Sequence, residues 1–197
     1  MDQRAKRRDK EYQRGAHWEK EPSSYTKRFM QCLKPWDKIF DAGCGSGRDS
    51  ILLAQNGYQV VGMDISPVGI RKARESAKRL NLKIQFDVWD LDDIHYDPKS
   101  FDAIYSGYTL QDTDLSKSIH CLSKILKPKG IAHIVMFEDT KYEGHFPELE
   151  NHIDHGKLLD ICESYFTITD VKKDTYSEED QHGKHSHERV FLALQKK

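Results

Sequence analysis

The stretch Ile39-Phe40-Asp41-Ala42-Gly43-Cys44-Gly45-Ser46-Gly47-Arg48-Asp49-Ser50 constrains this chain more than any other. Strand-forming apolar residues lead into three alternating glycines, and Ile51, Leu52, Leu53 and Ala54 then give a helical apolar pattern, so the run reads strand, tight loop, helix. Glycines admit positive φ and let a ligand approach bare backbone, while the helix start behind the loop offers unpaired N–H groups. The glycine spacing separates the ligand classes that use such a turn. A dinucleotide fingerprint needs Gly-x-Gly-x-x-Gly/Ala, and counting from Gly43 and Gly45 the third slot is Arg48, too large for close helix–strand packing. A nicotinamide oxidoreductase is disfavoured on that ground.

The chain has 197 residues, enough for one α/β domain with a real core, and the sequence divides into a charged N-terminal arm over 1–20 and a single domain over 21–197. The arm carries Arg4, Lys6, Arg7 and Arg8 close together without a clear apolar period, and reads as solvated and partly disordered. Trp18 is a candidate to fold over a ligand pocket. With 31 basic and 32 acidic residues the net charge is −1, which supplies no overall field for a polyanion, so no nucleic-acid partner is expected. Cys32, Cys44, Cys121 and Cys162 are scattered without a Cys-x-x-Cys pair, which reads as reduced thiols. No apolar run is long enough for a bilayer span, and a soluble cytoplasmic protein with no membrane partner is the expectation.

Pro22, Ser23 and Ser24 mark a helix start with Tyr25, Phe29 and Leu33 at helical spacing. After the glycine loop, the strand Tyr58 to Met63 delivers Asp64 to the carboxyl end of the second strand. In a doubly wound sheet that position borders the crevice, where a carboxylate accepts both hydroxyls of a ribose; Ser66 and Pro67 already supply the following helix with its cap and first residue. A packing helix from Pro67 to Leu80, a strand Leu82 to Phe86, a strand Ser100 to Ser106 and a helix Leu115 to Lys127 follow. The turn Lys127-Pro128-Lys129-Gly130 reads as structural, with Pro stopping the helix and Gly permitting the reversal before the strand Ile131 to Phe137. The segment Glu138 to Asn151 reads as a substrate loop, then come helix His155 to Glu163 and strand Tyr165 to Val171. The last strand, Arg189 to Leu194, returns antiparallel across a long loop from Lys173 to His187. Its histidines and acids match no closed metal motif, and no metal is expected.

The loop Asp41-x-Gly43-x-Gly45-x-Gly47 resembles the Asp-x-Gly-x-Gly-x-Gly loop of class I S-adenosylmethionine methyltransferases, and the Leu-Lys-Pro-x-Gly turn resembles another of their hallmarks. The resemblance runs from Trp36 to Phe137. It implies an α/β fold with a doubly wound, mostly parallel seven-stranded sheet and an antiparallel C-terminal strand, and S-adenosyl-L-methionine as cofactor with S-adenosyl-L-homocysteine as product. The cofactor set it implies is Asp41, Gly43, Cys44, Gly45, Gly47, Asp64, Ile65, Asp90, Leu91 and Ser106. Within it Asp90 meets the adenine amine and the Leu91 backbone N–H meets a ring nitrogen; Asp87 competes with Asp90, because Trp89 departs from the usual small residue. The Asn/Asp-Pro-Pro-Tyr/Phe element of relatives that methylate DNA or protein glutamine is absent at Ser106-Gly107-Tyr108-Thr109, which favours a small-molecule acceptor. The ending His-x-His-x-Arg before the last strand resembles the tail of tellurite-resistance and thiopurine-type methyltransferases. Candidate acceptor residues are Trp18, Tyr108, His145, His182 and Arg189, and no catalytic residue is singled out. The acceptor classes open are a thiol, a chalcogen oxyanion, a hydroxyl or an amine. A domain that binds the cofactor for regulation without turnover is the alternative, and oligomeric state is left open.

Overall fold

The computed structural model describes residues 2–15, 22–139, 155–180 and 183–197. Its elements are α1 (Gln3–Arg14), α2 (Ser24–Met30), β1 (Lys38–Ala42), α3 (Arg48–Gln55), β2 (Gln59–Asp64), α4 (Pro67–Arg79), β3 (Gln85–Val88), β4 (Phe101–Gly107), a 3-10 turn (Leu110–Asp112), α5 (Leu115–Ile125), β5 (Leu126–Asp139), α6 (His155–Glu163), β6 (Phe166–Asp180) and β7 (Gly183–Lys196). The seven strands form one sheet in the order β3-β2-β1-β4-β5-β7-β6. All pairings from β3 to β5 are parallel, and β7 runs antiparallel between β5 and β6. The expected doubly wound, mostly parallel sheet with a reversed C-terminal strand is therefore present.

Alternation along the central strands fills both faces. Phe40, Met63, Ile104, Ile134 and Leu192 join α5 and α6 on one side, while Ile39, Val60, Ala103, Tyr105, Val135 and Phe191 join α2 and α3 on the other. Strands buried on both faces read as continuous apolar runs, which is why Ile131 to Phe137 shows no polar alternation. Strand order reverses at β1, whose neighbours are β2 and β4, so the crevice of the fold opens beyond the carboxyl ends of β1 and β4.

Three expectations are corrected. Residues 3–14 of the charged arm are a helix, capped by the Asp2 side chain accepting from Arg4 N–H and ended by Gly15 at φ 81°. The loop expected from Lys173 to His187 is instead largely hairpin ladder, with Lys173 opposite Val190, Ser177 opposite Ser186 and Asp180 opposite Gly183. In the turn after α5 the left-handed residue is Lys129 at φ 63°, not Gly130. Gly130 is there for space, since a Cβ would stand 2.8 Å from the Asp102 carbonyl oxygen.

Candidate functional site

The glycine loop folds as its spacing requires. Gly43, Gly45 and Gly47 have φ of 79°, 55° and 85°, a region costly for any residue with a Cβ. Gly43 and Cys44 donate their N–H groups to the Met63 carbonyl at 2.8 and 2.9 Å, which ties the loop to the end of β2. A Cβ on Gly43 would stand 2.1 Å from the Thr109 hydroxyl oxygen, and one on Gly47 would stand 2.9 Å from the Ala73 Cβ. Gly47 is the N-cap of α3, so Arg48, the residue that breaks the dinucleotide pattern, is the first helical residue and lays its guanidinium on Asp49 at 2.6 Å.

Asp64 ends β2 inside this frame. One carboxylate oxygen accepts from Gly45 N–H at 2.9 Å and the other from Ser66 N–H at 2.8 Å. A carboxylate has about four lone-pair sites, so two remain for a diol. Burial raises the Asp64 carboxyl above its ordinary range, opposed by the two N–H donors and by Arg8. Ile65 beside it is half-buried. Asp41 lies beneath the loop, accepts from the Ser50 hydroxyl at 2.5 Å, and is pushed up to about 7 by burial and by the nearby Asp49. Cys44 turns its thiol into the packing of Ile70, Ala73 and Phe86, and burial raises that thiol well above its usual value.

The two competing acids have different partners. Asp87, on β3, accepts from the Tyr96 hydroxyl at 2.5 Å and from the Gln85 amide at 2.7 Å, both at Oδ2. Asp90 sits in the loop beyond β3, accepting from Asp92 N–H at 3.0 Å and from the Arg4 guanidinium at 2.5 Å. Trp89 turns away and packs on Tyr96 with ring centroids 4.9 Å apart, while the Leu91 side chain is buried in the core. Ser106, near the end of β4, is fully buried, and its hydroxyl has no hydrogen-bond partner among the described residues.

Helix α1 is the part of the site that the charge pattern concealed. Arg4 bridges Asp90 and Asp92, Arg7 pairs with Asp112 at 2.9 Å, and Arg8 pairs with the same Asp112. Asp9 accepts from the Ser66 hydroxyl at 2.5 Å and from Val68 N–H at 3.1 Å. The Tyr12 hydroxyl stands 2.2 Å from where a Gly45 Cβ would be. The helix thus touches the loops after β1, β2, β3 and β4. A signal for it exists in the sequence: Asp2 and Gly15 are cap residues, and the buried Ala5, Asp9 and Tyr12 fall at helical spacing, but one of the three is an aspartate.

On the other flank, Tyr108 and Arg189 come together. Arg189 donates through Nη1 to the Tyr108 hydroxyl at 3.0 Å and through Nε and Nη2 to Asp174 at 2.8 and 2.9 Å. Tyr25 donates to the same Asp174 at 2.7 Å. Asp174 and Tyr25 were not among the sequence candidates; Asp174 lies in the stretch expected to be loop. Of the remaining acceptor candidates, Trp18, His145 and His182 lie outside the described residues, so the histidines are not placed relative to Arg189. No group of three or more His, Cys, Asp or Glu suited to a metal occurs among the described residues. No helix among them is long and apolar enough to cross a membrane.

Residues 39–130 match a family model described as a methyltransferase domain. A phosphoethanolamine N-methyltransferase from Arabidopsis thaliana is 38% identical over 109 residues, covering 53% of this chain and 22% of that relative. The chain spans between 22% and 48% of the first curated relatives it matches. Among solved structures, a SAM-dependent methyltransferase from Methanosarcina mazei superposes with a TM-score of 0.75 at 22% identity, covering 89% of this chain and 98% of that one. TehB from Haemophilus influenzae does so with a TM-score of 0.75 at 18% identity, covering 89% of this chain and 63% of that one. At those identities the structures speak for the fold alone. The sequence match covers the glycine loop and its flanking strands, residues 39–130 are thus similar to a methyltransferase domain, and the sheet that carries them has the fold of those solved structures.

Proposed function

We propose that the chain binds S-adenosyl-L-methionine across the crevice beyond β1 and β4 and transfers its methyl group to a small-molecule acceptor. The observation that carries this reading is Asp64: a buried carboxylate at the end of β2, fixed by N–H donors from the glycine loop and from the start of α4, with lone pairs left for a ribose. The rest of the site fits the same ligand. Three glycines at positive φ carry no Cβ at alternate positions of the loop, and Asp90 offers a carboxylate in the loop after β3, where an adenine amine needs an acceptor. Asp41 steadies the loop from below through Ser50.

The bound sulfonium supplies an activated methyl group. The chain's residues align the two reactants, keep water out and accommodate a cation that loses its charge, the usual contributions to an in-line displacement. Helix α1 supports alignment by touching the loops after β1, β2, β3 and β4. A thiolate or chalcogen oxyanion needs no base, whereas a hydroxyl or amine acceptor needs its proton taken up.

Calorimetry with S-adenosylmethionine and with S-adenosylhomocysteine tests the cofactor half of the proposal. Binding at micromolar concentration that is lost in Asp64→Ala is the expected result, and no heat at high micromolar concentration removes the reading. Methyl transfer from labelled cofactor to a panel of thiols, selenite, tellurite, phenols and amines tests turnover; cofactor binding without transfer to any of them leaves a regulatory domain instead.

A further inference from the structure

Tyr108 is held in a conformation that a tyrosine rarely adopts. Its φ is 59°, in the left-handed region, where a non-glycine residue persists only if its surroundings over-determine it. They do so here. Its N–H donates to the Val135 carbonyl at 2.7 Å, its carbonyl accepts from the Gln111 amide at 3.0 Å, its ring packs on Phe137 with centroids 4.8 Å apart, and its hydroxyl accepts from Arg189 at 3.0 Å. The next residue, Thr109, presses its side chain against Gly43 of the cofactor loop. The strained residue therefore stands directly beside the glycine loop.

Two phenols share one network and use their protons differently. Tyr25 donates its proton to Asp174, so its hydroxyl is satisfied within the protein. Tyr108 cannot do the same with Arg189, because a guanidinium only donates. The Tyr108 oxygen is an acceptor towards Arg189, and its own proton is directed elsewhere. A hydrogen bond received from a cation polarises the O–H and makes it a stronger donor. Arg189, 9% exposed, is held by the two oxygens of Asp174, so the fork that aims Tyr108 is itself fixed. Burial keeps the phenol protonated by raising it above its usual range, although Arg189 and the nearby Ser23 hydroxyl act against that.

Resting on the proposed methyltransferase reading, we infer that the Tyr108 hydroxyl donates a hydrogen bond to an oxyanion of the methyl acceptor, with Arg189 as the positioning residue that aims it. The acceptor class is then a small molecule carrying a carboxylate or comparable oxyanion beside its nucleophile. The oxyanion is not the attacking atom. The lone pair of a neighbouring sulfur, oxygen or nitrogen forms the new bond to carbon, the sulfonium S–CH3 bond breaks with its electron pair going to sulfur, and any proton on the nucleophile leaves to solvent.

Three matched pairs test it on the full chain: thioglycolate against 2-mercaptoethanol, 4-hydroxybenzoate against phenol, and β-alanine against propylamine. In at least one pair the oxyanion-bearing member is expected to have a kcat/KM at least tenfold higher with the wild-type protein. Tyr108→Phe keeps the ring packing and is expected to erase that preference mainly through KM, with cofactor affinity within twofold of wild type. Arg189→Lys retains charge but not the fork, and is expected to reduce the preference several-fold. A preference that survives Tyr108→Phe, equal rates within every pair, or no transfer to any member by a protein that still binds cofactor each overturns the inference while leaving the cofactor site standing. Absence of cofactor binding overturns the methyltransferase reading itself and this role with it. Melting temperatures of both variants separate a lost contact from a lost fold: a preference that disappears only along with cooperative unfolding counts against the assignment.

Discussion

The crevice has two walls, built from different interactions. The loops after β1 and β2 form a wall of main chain: Gly43, Cys44 and Gly45 donate N–H groups to the Met63 carbonyl and to Asp64, and the glycines leave no room for side chains. Helix α1 forms a wall of side chains, in which Arg4, Arg7 and Arg8 reach Asp90, Asp92 and Asp112. Main-chain hydrogen bonds in a buried site keep their strength in salt, whereas ion pairs at a partly exposed surface weaken with it. One wall therefore sets the shape of the site, and the other answers to ionic conditions.

The largest expected effect falls on the first wall. Asp64→Ala removes the proposed ribose acceptor and strands two N–H groups, those of Gly45 and Ser66, in a buried position. Cofactor affinity should fall by a factor of about a hundred or more, the equivalent of two lost charge-assisted hydrogen bonds, with a fall in melting temperature from the stranded donors. Asp64→Asn should be milder on stability, since one side-chain oxygen still accepts. If calorimetry finds the affinity of Asp64→Ala unchanged, the main-chain wall does not hold the cofactor as described.

Gly45→Ala joins the two walls and ranks next. The new Cβ sits at positive φ and 2.2 Å from the Tyr12 hydroxyl oxygen, so it strains the loop and pushes α1 outward. A loss of about 1–3 kcal/mol by denaturant titration is expected, of which the double variant with Tyr12→Ala should recover only the steric part. Full recovery would mean that the glycine serves the helix alone.

How far the sequence discloses each wall follows from what builds it. Glycine at alternate positions and an acid at a strand end are local signals, so Gly43, Gly45, Gly47 and Asp64 are legible without coordinates, and apolar runs mark the strands along the chain, while the architecture of the sheet is implied only by the family resemblance. Helix α1 is not legible in that way because its partners are remote in sequence: Arg4 meets Asp90 and Arg8 meets Asp112, and a run of arginines looks solvated until those acids are in place. The hairpin from Lys173 onward hides for a related reason. Its residues are polar on both sides, so no period of two appears, and Asp174 shows its part only when Arg189 lies opposite it in register. Lys129 taking the left-handed position beside a glycine depends on the close approach of the Asp102 carbonyl, which a one-dimensional reading does not contain.

Buried charge in the first wall gives a smaller effect with a definite sign. Asp41 is pushed up to about 7 by burial, so the folded state holds its proton more tightly than the unfolded chain does. Between the unfolded value near 4 and the folded value, the unfolded state binds fewer protons, and stability due to this group declines as pH rises through that window. Asp41→Asn keeps an oxygen for the Ser50 hydroxyl and has nothing to ionise. Its stability relative to wild type should improve by about 1–2 kcal/mol from pH 4 to pH 7, less than the full shift because the site relaxes. A relative stability flat in pH would place the Asp41 carboxylate in a better solvated setting than its burial indicates.

The smallest effects belong to the second wall, and they are the ones that separate it from the first. Single ion pairs at this exposure contribute about 0.2–1 kcal/mol each, so Arg4→Ala should cost little global stability. Its consequence is local: with the guanidinium gone, Asp90 and Asp92 lose a shared counter-charge and the first turns of α1 lose their attachment. Hydrogen exchange over residues 3–14 should therefore quicken several-fold in Arg4→Ala, and quicken likewise in wild type as salt is raised from 0.05 to 1 M, while the amides of β1 and β4 keep their protection. Cofactor affinity should fall several-fold under both treatments, because the side of the crevice that α1 supplies loosens. If exchange in α1 and in β1 accelerates together, the two walls open as one unit and the distinction between them fails. If salt leaves α1 untouched while Arg4→Ala frees it, the helix is held by desolvated pairs, and its hold on the crevice is as permanent as that of the glycine loop.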